Sequence, residues 1–219
     1  MINPSVSIED YLGAIYRLQR KDGQPLPLGD LQEHFGFSPI SIHEMVQKLV
    51  QRGLAVYIPY KGVLLTLTGS TTAEALIRRH RIWECFLSNE LAVPIDEAHQ
   101  LAGDLEHAAP DWITERLFNH LGQPSFCPHG SAIDELTSTP VGISIANGQA
   151  GRTYVISCIS PENSNSLQIA REAGILPGSS LTIIEKKNGN IEIEINDQKK
   201  QLSEDDLAYF WGMDMTDGS

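Results

Sequence analysis

The sequence predicts an α+β chain with a helical first part and a β-rich last part. Three observations predict it. Apolar residues recur at helical spacing through most of residues 7–121, interrupted by two short β-type runs at 54–67. A Pro/Gly/Ser-rich connection follows at 125–140. Beyond it the pattern changes to alternation, clearest in Ile191-Glu-Ile-Glu-Ile195. The resulting division is 1–70, 71–137 and 141–219.

Residues 7–20 read as an amphipathic helix, with Ile8, Tyr11, Leu12, Ile15 and Leu18 on one side. Gly23-Gln-Pro25-Leu-Pro27 breaks it, and Leu28 to Phe35 forms a short helix closed by Gly36. Ser38-Pro39 opens the next helix, with a capping serine and a proline at the first helical position. That helix runs to about Arg52 and stops at Gly53. Runs 54–58 and 63–67 then flank Pro59-Tyr-Lys61-Gly62 as a β-hairpin. Helix, short helix, tight turn, helix and hairpin describe a winged helix-turn-helix, with a small α+β domain as the plainer alternative.

Helices from about Thr72 to Leu91, from Pro94 through His107 and from Pro110 to about Leu121 would pack as a helical layer. Trp83, Trp112, Leu117 and Phe118 have the spacing of core residues there. In the last third, 154–158, 180–184 and 191–195 read as strands, Lys187-Asn-Gly189-Asn as a hairpin turn, and Ser166 to Ala173 as a helix ended by Gly174. That set describes a small SH3-like β-barrel.

The net charge of −12 is uneven: residues 1–70 are neutral, 71–137 carry −7 and 138–219 carry −5. Non-specific nucleic-acid binding is disfavoured by such a balance, so any DNA contact rests on the first 70 residues. No run of about 18 apolar residues occurs, so no membrane partner is expected. Met1-Ile-Asn-Pro-Ser lacks a basic-then-apolar leader. Cys85, Cys127 and Cys158 are odd in number and widely spaced, which suits a reducing cytoplasm.

The chemistry concentrates on His99-Gln-Leu-Ala-Gly103-Asp-Leu-Glu106-His107. Positions 99, 103, 106 and 107 share one helix face, and three of the four are metal-binding types. Upstream, His80 and Glu84 stand at i and i+4, which aims two ligands from one helix at one ion. Mixed imidazole and carboxylate donors suit Mn²⁺, Fe²⁺ and other divalent transition metals, Co²⁺ and Zn²⁺ among them. Asp10, on the first helix, is a further candidate ligand. Cys127-Pro-His129-Gly130 is either a tight turn or a thiol and imidazole placed to chelate an ion. His34 and His120 are isolated, and His43 lies on the recognition helix as a DNA-facing or surface residue. No GxSxG, HExxH or P-loop occurs, so an enzyme is not expected. A metal-dependent hydrolase built on His80, Glu84, Glu106 and His107 is the catalytic alternative.

Asp10-Tyr-Leu with Ile15-Tyr16, Ser38-Pro39 with Met45-Val, Tyr60-Lys-Gly62-Val with Leu65-Thr-Leu-Thr-Gly69, Arg79-His80-Arg with Glu84, Leu105-Glu106-His107 and Cys127-Pro-His129-Gly130 occur in that order. In this the chain resembles the diphtheria toxin repressor and manganese transport regulator family, of the three-domain type with a ferrous-iron-transport-A-like third domain. The resemblance implies a homodimer built on the helical layer, with bound metal setting the winged helices at palindromic half-sites of double-stranded operator DNA. It implies a primary site from the positions of Asp10, Gly103, Glu106 and His107, and a neighbouring site from His80, Glu84 and His99. In manganese-responsive members a second site combines the equivalents of Glu84, Cys127 and His129 with an acid of the third domain, for which Glu162 is the candidate here. It also implies that Ser38, Pro39, Ser41, His43 and Glu44 face the major groove while Lys61 reaches a phosphate.

Two residues depart from the family pattern. Gly103 stands where a Cys or Glu ligand is expected, and glycine costs about 1 kcal/mol against alanine inside a helix. Water fills the gap, Asp104 is recruited, or the working site is the His80/Glu84/Cys127/His129 set. A regulator that has lost metal control is a further reading. Glu44 puts an acid where a polar base contact is usual. The expectation is a cytoplasmic metal-dependent repressor of metal-uptake genes, with Mn²⁺ ahead of Fe²⁺ because Asp10 is hard and position 103 is not cysteine.

Overall fold

The structure is a computed structural model that describes residues 8–19, 23–134 and 140–215. The outermost ends of the first expected helix, the leader segment, and the end of the 125–140 connection with the boundary at 137 lie outside these residues. The chain divides into two compact units, 1–78 and 79–219.

The first unit holds α1 (Ile8–Leu18), α2 (Leu28–Phe35), α3 (Pro39–Gln51) and a hairpin of β1 (Ala55–Ile58) and β2 (Gly62–Leu65). Tyr11, Leu12 and Ile15 of α1, Leu31 of α2, and Ile42, Val46 and Leu49 of α3 are buried, which matches the apolar faces read from spacing. Ser38 caps α3 by accepting a bond from Ser41 N at 3.2 Å, with Pro39 at the first helical position. Gly36 closes α2 in the left-handed conformation. The hairpin is shorter than expected because the next helix starts early. Thr66 Oγ1 accepts a bond from Gly69 N and donates to the Gly53 carbonyl, so α4 begins at Leu67 rather than Thr72. Gly62 has φ +136°, and a Cβ there would lie 2.0 Å from the Leu26 carbonyl oxygen. That close approach lets Leu26 pair with Val63 through two backbone bonds.

Helix α4 (Leu67–Cys85) runs on into the second unit and ends in a π-helical turn, Phe86–Glu90. Helices α5 (Ile95–Ala108) and α6 (Asp111–His120) follow. Phe118 is buried, but Trp112 is 58 % exposed rather than core, with the Arg116 guanidinium 5.2 Å from its ring centroid. It sits in the first turn of α6, on the solvent side of that helix.

The remainder is a six-stranded antiparallel sheet in the order β3 (Ile143–Ser144), β8 (Phe210–Asp214), β4 (Thr153–Ile159), β5 (Ser180–Lys187), β6 (Asn190–Ile195) and β7 (Gln198–Ser203). Helix α7 (Ser164–Ala173) joins β4 to β5, and the short α8 (Glu204–Leu207) joins β7 to β8. The alternation of β6 is observed as expected: Ile191, Ile193 and Ile195 are buried beside Leu181 and Ile183. Each such side chain stabilises the fold by roughly 1.5–3 kcal/mol. Helix α7 starts two residues earlier than the sequence suggested, because Asn163 and Ser166 form a capping box. Strands β3, β7 and β8 were not anticipated. β7 is a polar, lysine-bearing edge strand, which masks it from hydrophobic patterning.

Two glycines separate packing from conformation. Gly62→Ala should lower stability by about 2 kcal/mol or more, because the new Cβ meets backbone and the φ is unfavourable. Gly103→Ala, with open space around the position, should raise stability by about 0.5–1 kcal/mol. Urea unfolding midpoints of the two variants check both signs.

Candidate metal centre

Four elements of the second unit supply the polar residues. α4 carries His80 and Glu84 one turn apart, and α5 carries His99, Glu106 and His107. A tight turn supplies Cys127 and His129, with Gly130 N bonded to the Cys127 carbonyl at 2.9 Å. Gly130 has φ +84°, and a Cβ there would fall 2.1 Å from the Ser157 carbonyl oxygen. Only glycine lets this turn lie so close to β4, where Ile159 N donates to the His129 carbonyl. The segment after β4 brings in Glu162, which accepts a hydrogen bond from Ser131 Oγ. Arg81 donates to the Ala132 carbonyl and holds the same turn against α4.

Glu84 is completely buried, and its carboxylate is the hub. Its Oε1 lies 2.8 Å from His80 Nε2 and 2.7 Å from His99 Nδ1, and its Oε2 lies 3.2 Å from His129 Nδ1. His80 Nε2 and His99 Nδ1 are themselves 3.0 Å apart. On its other edge, His80 Nδ1 donates to Glu106 Oε2 at 2.6 Å. Glu84, His99, His129 and Glu162 each offer a ligand atom, and these atoms all lie within 4.8 Å of one another. Gaps near 3 Å between donors match the edges of a coordination shell with ligands at about 2.1 Å.

Electrostatics agree with a cation-seeking cluster. Burial acts to lower the pKa of His80, but the charges and hydrogen bonds of Glu84 and Glu106 push it up to about 9. Burial acts to raise the pKa of Glu84, yet the His80 and His129 charges hold it well below the usual carboxylate range. His129 is likewise opposed by burial and raised by Glu84. Two buried polar atoms, Glu84 Oε2 and His129 Nε2, lack a partner with hydrogen-bond geometry. The donors present, two imidazoles and two carboxylates, fit a divalent transition metal.

Of the sequence candidates, Glu84, His99, His129 and Glu162 are brought together. His80 bridges Glu84 to Glu106 rather than joining the four. The buried Cys127 thiol is 3.7 Å from His129 Nδ1 but stays outside the group. Burial, then the carboxylates of Glu84 and Glu162, push its pKa well above that of a free thiol. The face through 99, 103, 106 and 107 is split in use. His99 turns to Glu84, Glu106 to His80, and His107 Nε2 lies 3.4 Å from Glu106 Oε1. Gly103 faces open space and Asp104 is exposed. In the first unit, Asp10 occupies the first turn of α1. His34 and His120 are exposed. Ser38, Pro39, Ser41, His43, Glu44 and Lys61 are all exposed on α3, its cap and the hairpin tip. Sequence spacing missed the pairing of His99 with His129, since 30 residues separate them and no local signal links them. It also missed Arg81 and Ser131, whose bonds fix the turn.

Comparison with known proteins covers all three parts of the chain. Residues 5–63 match the DNA-binding domain of iron-dependent repressors, 66–135 match their metal-binding and dimerisation domain, and 143–209 match the FeoA domain. An uncharacterised helix-turn-helix transcriptional regulator of Methanocaldococcus jannaschii is 34 % identical over 113 residues, covering 52 % of this chain and 90 % of that protein. The diphtheria toxin repressor of Corynebacterium diphtheriae is 28 % identical over 214 residues, covering 92 % and 93 % of the two chains. The solved structure of a manganese-dependent transcriptional repressor in complex with manganese superposes with a TM-score of 0.80 at 29 % identity, over 95 % of this chain and all of the other. The chain therefore belongs to the iron-dependent repressor family of metal-dependent transcriptional regulators, with a FeoA domain at its C-terminal end.

Proposed function

We propose that this chain is a homodimeric cytoplasmic repressor of metal-uptake genes, whose binding to palindromic operator DNA is tightened by Mn²⁺, and next by Fe²⁺. The parts are a DNA-binding domain at 1–70, a metal-binding and dimerisation domain at 71–137 and an SH3-like domain at 141–219. The observation that carries this reading is the fully buried Glu84 carboxylate, gathered with His99, His129 and Glu162 so that one ligand atom of each lies within 4.8 Å of the others. Glu84, His99, His129 and Glu162 would hold the ion. When bound, the ion supplies a fixed positive charge that ties α4, α5, the 127–130 turn and the Glu162 segment together. Oxygen and imidazole donors favour Mn²⁺ and Fe²⁺ over softer ions. The manganese-bound structural relative supports the same order.

His80 and Glu106 link this centre to His107 along α5. Glu106 and His107 are proposed ligands of a second ion, and Asp10 is proposed as a further ligand in keeping with the family resemblance. Cys127 would join the first centre only after losing its proton. The dimer is proposed to form through the helical layer, where Leu91, Leu101 and Trp112 are exposed large apolar side chains. Among the described residues no helix is long and apolar enough to cross a membrane.

Titrating Mn²⁺ or Fe²⁺ at fixed salt should tighten operator binding in a fluorescence anisotropy assay; affinity indifferent to both ions would refute the co-repressor reading. Glu84→Gln and His129→Ala should weaken Mn²⁺ binding by at least about tenfold, while Cys127→Ser leaves it unchanged, as read by calorimetry.

His129, a proposed ligand, must lose its proton to bind the ion, and the Glu84 carboxylate raises the pKa at which it does so. Apparent Mn²⁺ affinity should therefore rise with pH from 6 towards 9, by up to about tenfold per unit for each proton released. An affinity flat across that range contradicts this linkage. Gly103→Glu tests the blank position on α5: a second bound Mn²⁺ or a steeper operator response marks Gly103 as the missing ligand position, and no change assigns control to the Glu84 centre.

A further inference from the structure

The DNA-facing side of α3 is not uniformly available. Ser38 Oγ caps the helix, and the hydroxyls of Ser38 and Ser41 bond each other at 3.0 Å. The His43 ring packs edge-on to Tyr57 of β1 at 5.5 Å between centroids, and Gln47 Nε2 lies 3.5 Å from its Nε2. These side chains are occupied in holding the cap and the hairpin. Ile42, Val46 and Leu49 are wholly buried on the opposite face.

Of the exposed side chains left, Ile40 and Glu44 stand one turn apart, with Lys48 a further turn along the helix. Ile40 is 72 % exposed, a branched apolar side chain turned outward beside the helix cap. Glu44 is exposed, and among the described residues it makes no hydrogen bond or ion pair. It is also the only carboxylate of α3. On a helix that must approach a polyanion, an unpaired carboxylate costs affinity unless it meets a donor. In the major groove the cytosine N4 amino group is a donor suited to an acidic side chain, and the thymine C5 methyl suits an apolar one.

We propose that Ile40 and Glu44 are the base-reading pair of α3, Ile40 against a thymine methyl and Glu44 accepting from a cytosine amino group. The inference rests on the DNA-binding reading above and specifies it. One helical turn advances about 6 Å over four residues, against about 3.4 Å per base pair. The thymine and the cytosine therefore fall within two base pairs of each other in each half-site. Ser38, Ser41 and His43 position the helix, and Glu44 converts a loss of general affinity into selectivity for one base.

The test is selection of sites from a randomised duplex pool by the Mn²⁺-loaded full chain, followed by affinity measurements with Glu44→Gln and Ile40→Ala. Both residues are exposed, and circular dichroism confirms that the variants fold. The native chain should enrich half-sites with a cytosine within two base pairs of a thymine. Glu44→Gln should lose about tenfold of the discrimination for that cytosine. Replacing the thymine by uracil should weaken the native chain but not Ile40→Ala. If Glu44→Gln instead tightens every duplex equally and leaves base preference unchanged, the carboxylate merely repels phosphate and the inference is overturned. Equal uracil sensitivity in Ile40→Ala overturns the thymine contact. Failure of the native chain to enrich any sequence would remove the DNA-binding reading itself, an outcome distinct from both.

Discussion

A carboxylate with no access to water organises the second unit. Glu84 sits at full burial on α4, and an ionised group so placed costs several kcal/mol unless opposite charge surrounds it. The fold answers with three imidazoles drawn from three different elements, at 2.7 to 3.2 Å from its two oxygens. That requirement explains why the 127–130 turn must pack so tightly, why glycine stands at 130, and why Arg81 and Ser131 spend their hydrogen bonds on the turn and on Glu162. Glu84 and Glu106 between them raise the pKa of His80, and the divalent ion proposed above would meet the same demand with more charge and more ligands.

On the reading proposed above, the His80 link and a bound ion would tie together different parts of the unit. His80 links Glu84 to Glu106, within the helical layer. An ion held by Glu84, His99, His129 and Glu162 would also engage the segment that leads into α7. The SH3-like part is already braced there by Arg171, which pairs with Asp96 and Glu97 on α5, and by Ile95 against the sheet core. Exposed ion pairs of this sort contribute little by themselves. A coordinated ion would supply the larger and switchable share.

Much of this was legible in the sequence, for physical reasons that vary by element. Helices α2 and α3 were readable because their ends are chemically marked by Gly36, Ser38 and Pro39. Strand β6 was readable because one face is buried and the other is not. Strand β7 was hidden by its lysines and glutamines, although Asn196-Asp197 before it, both with positive φ, is the kind of pair that turns a hairpin. His80 and Glu84 could be paired from their spacing, since a helix fixes who faces whom. The partnership of His99 with His129 and Glu162 could not, because it depends on how a turn and a β-segment pack against two helices. Cys127 was readable as a candidate ligand from its neighbour His129, but proximity along the chain says nothing of the burial and the carboxylates that raise its pKa.

The central claim is that Glu84 anchors a metal centre made of imidazole and carboxylate donors. The most direct measurement is a crystal structure of the manganese-loaded chain with anomalous scattering recorded at the manganese edge. The account predicts an anomalous peak ligated by Glu84, His99, His129 and Glu162, with Cys127 Sγ outside the coordination shell. A peak ligated by the Cys127 thiolate in place of His99, or no peak beside Glu84 in a manganese-saturated crystal, would contradict it.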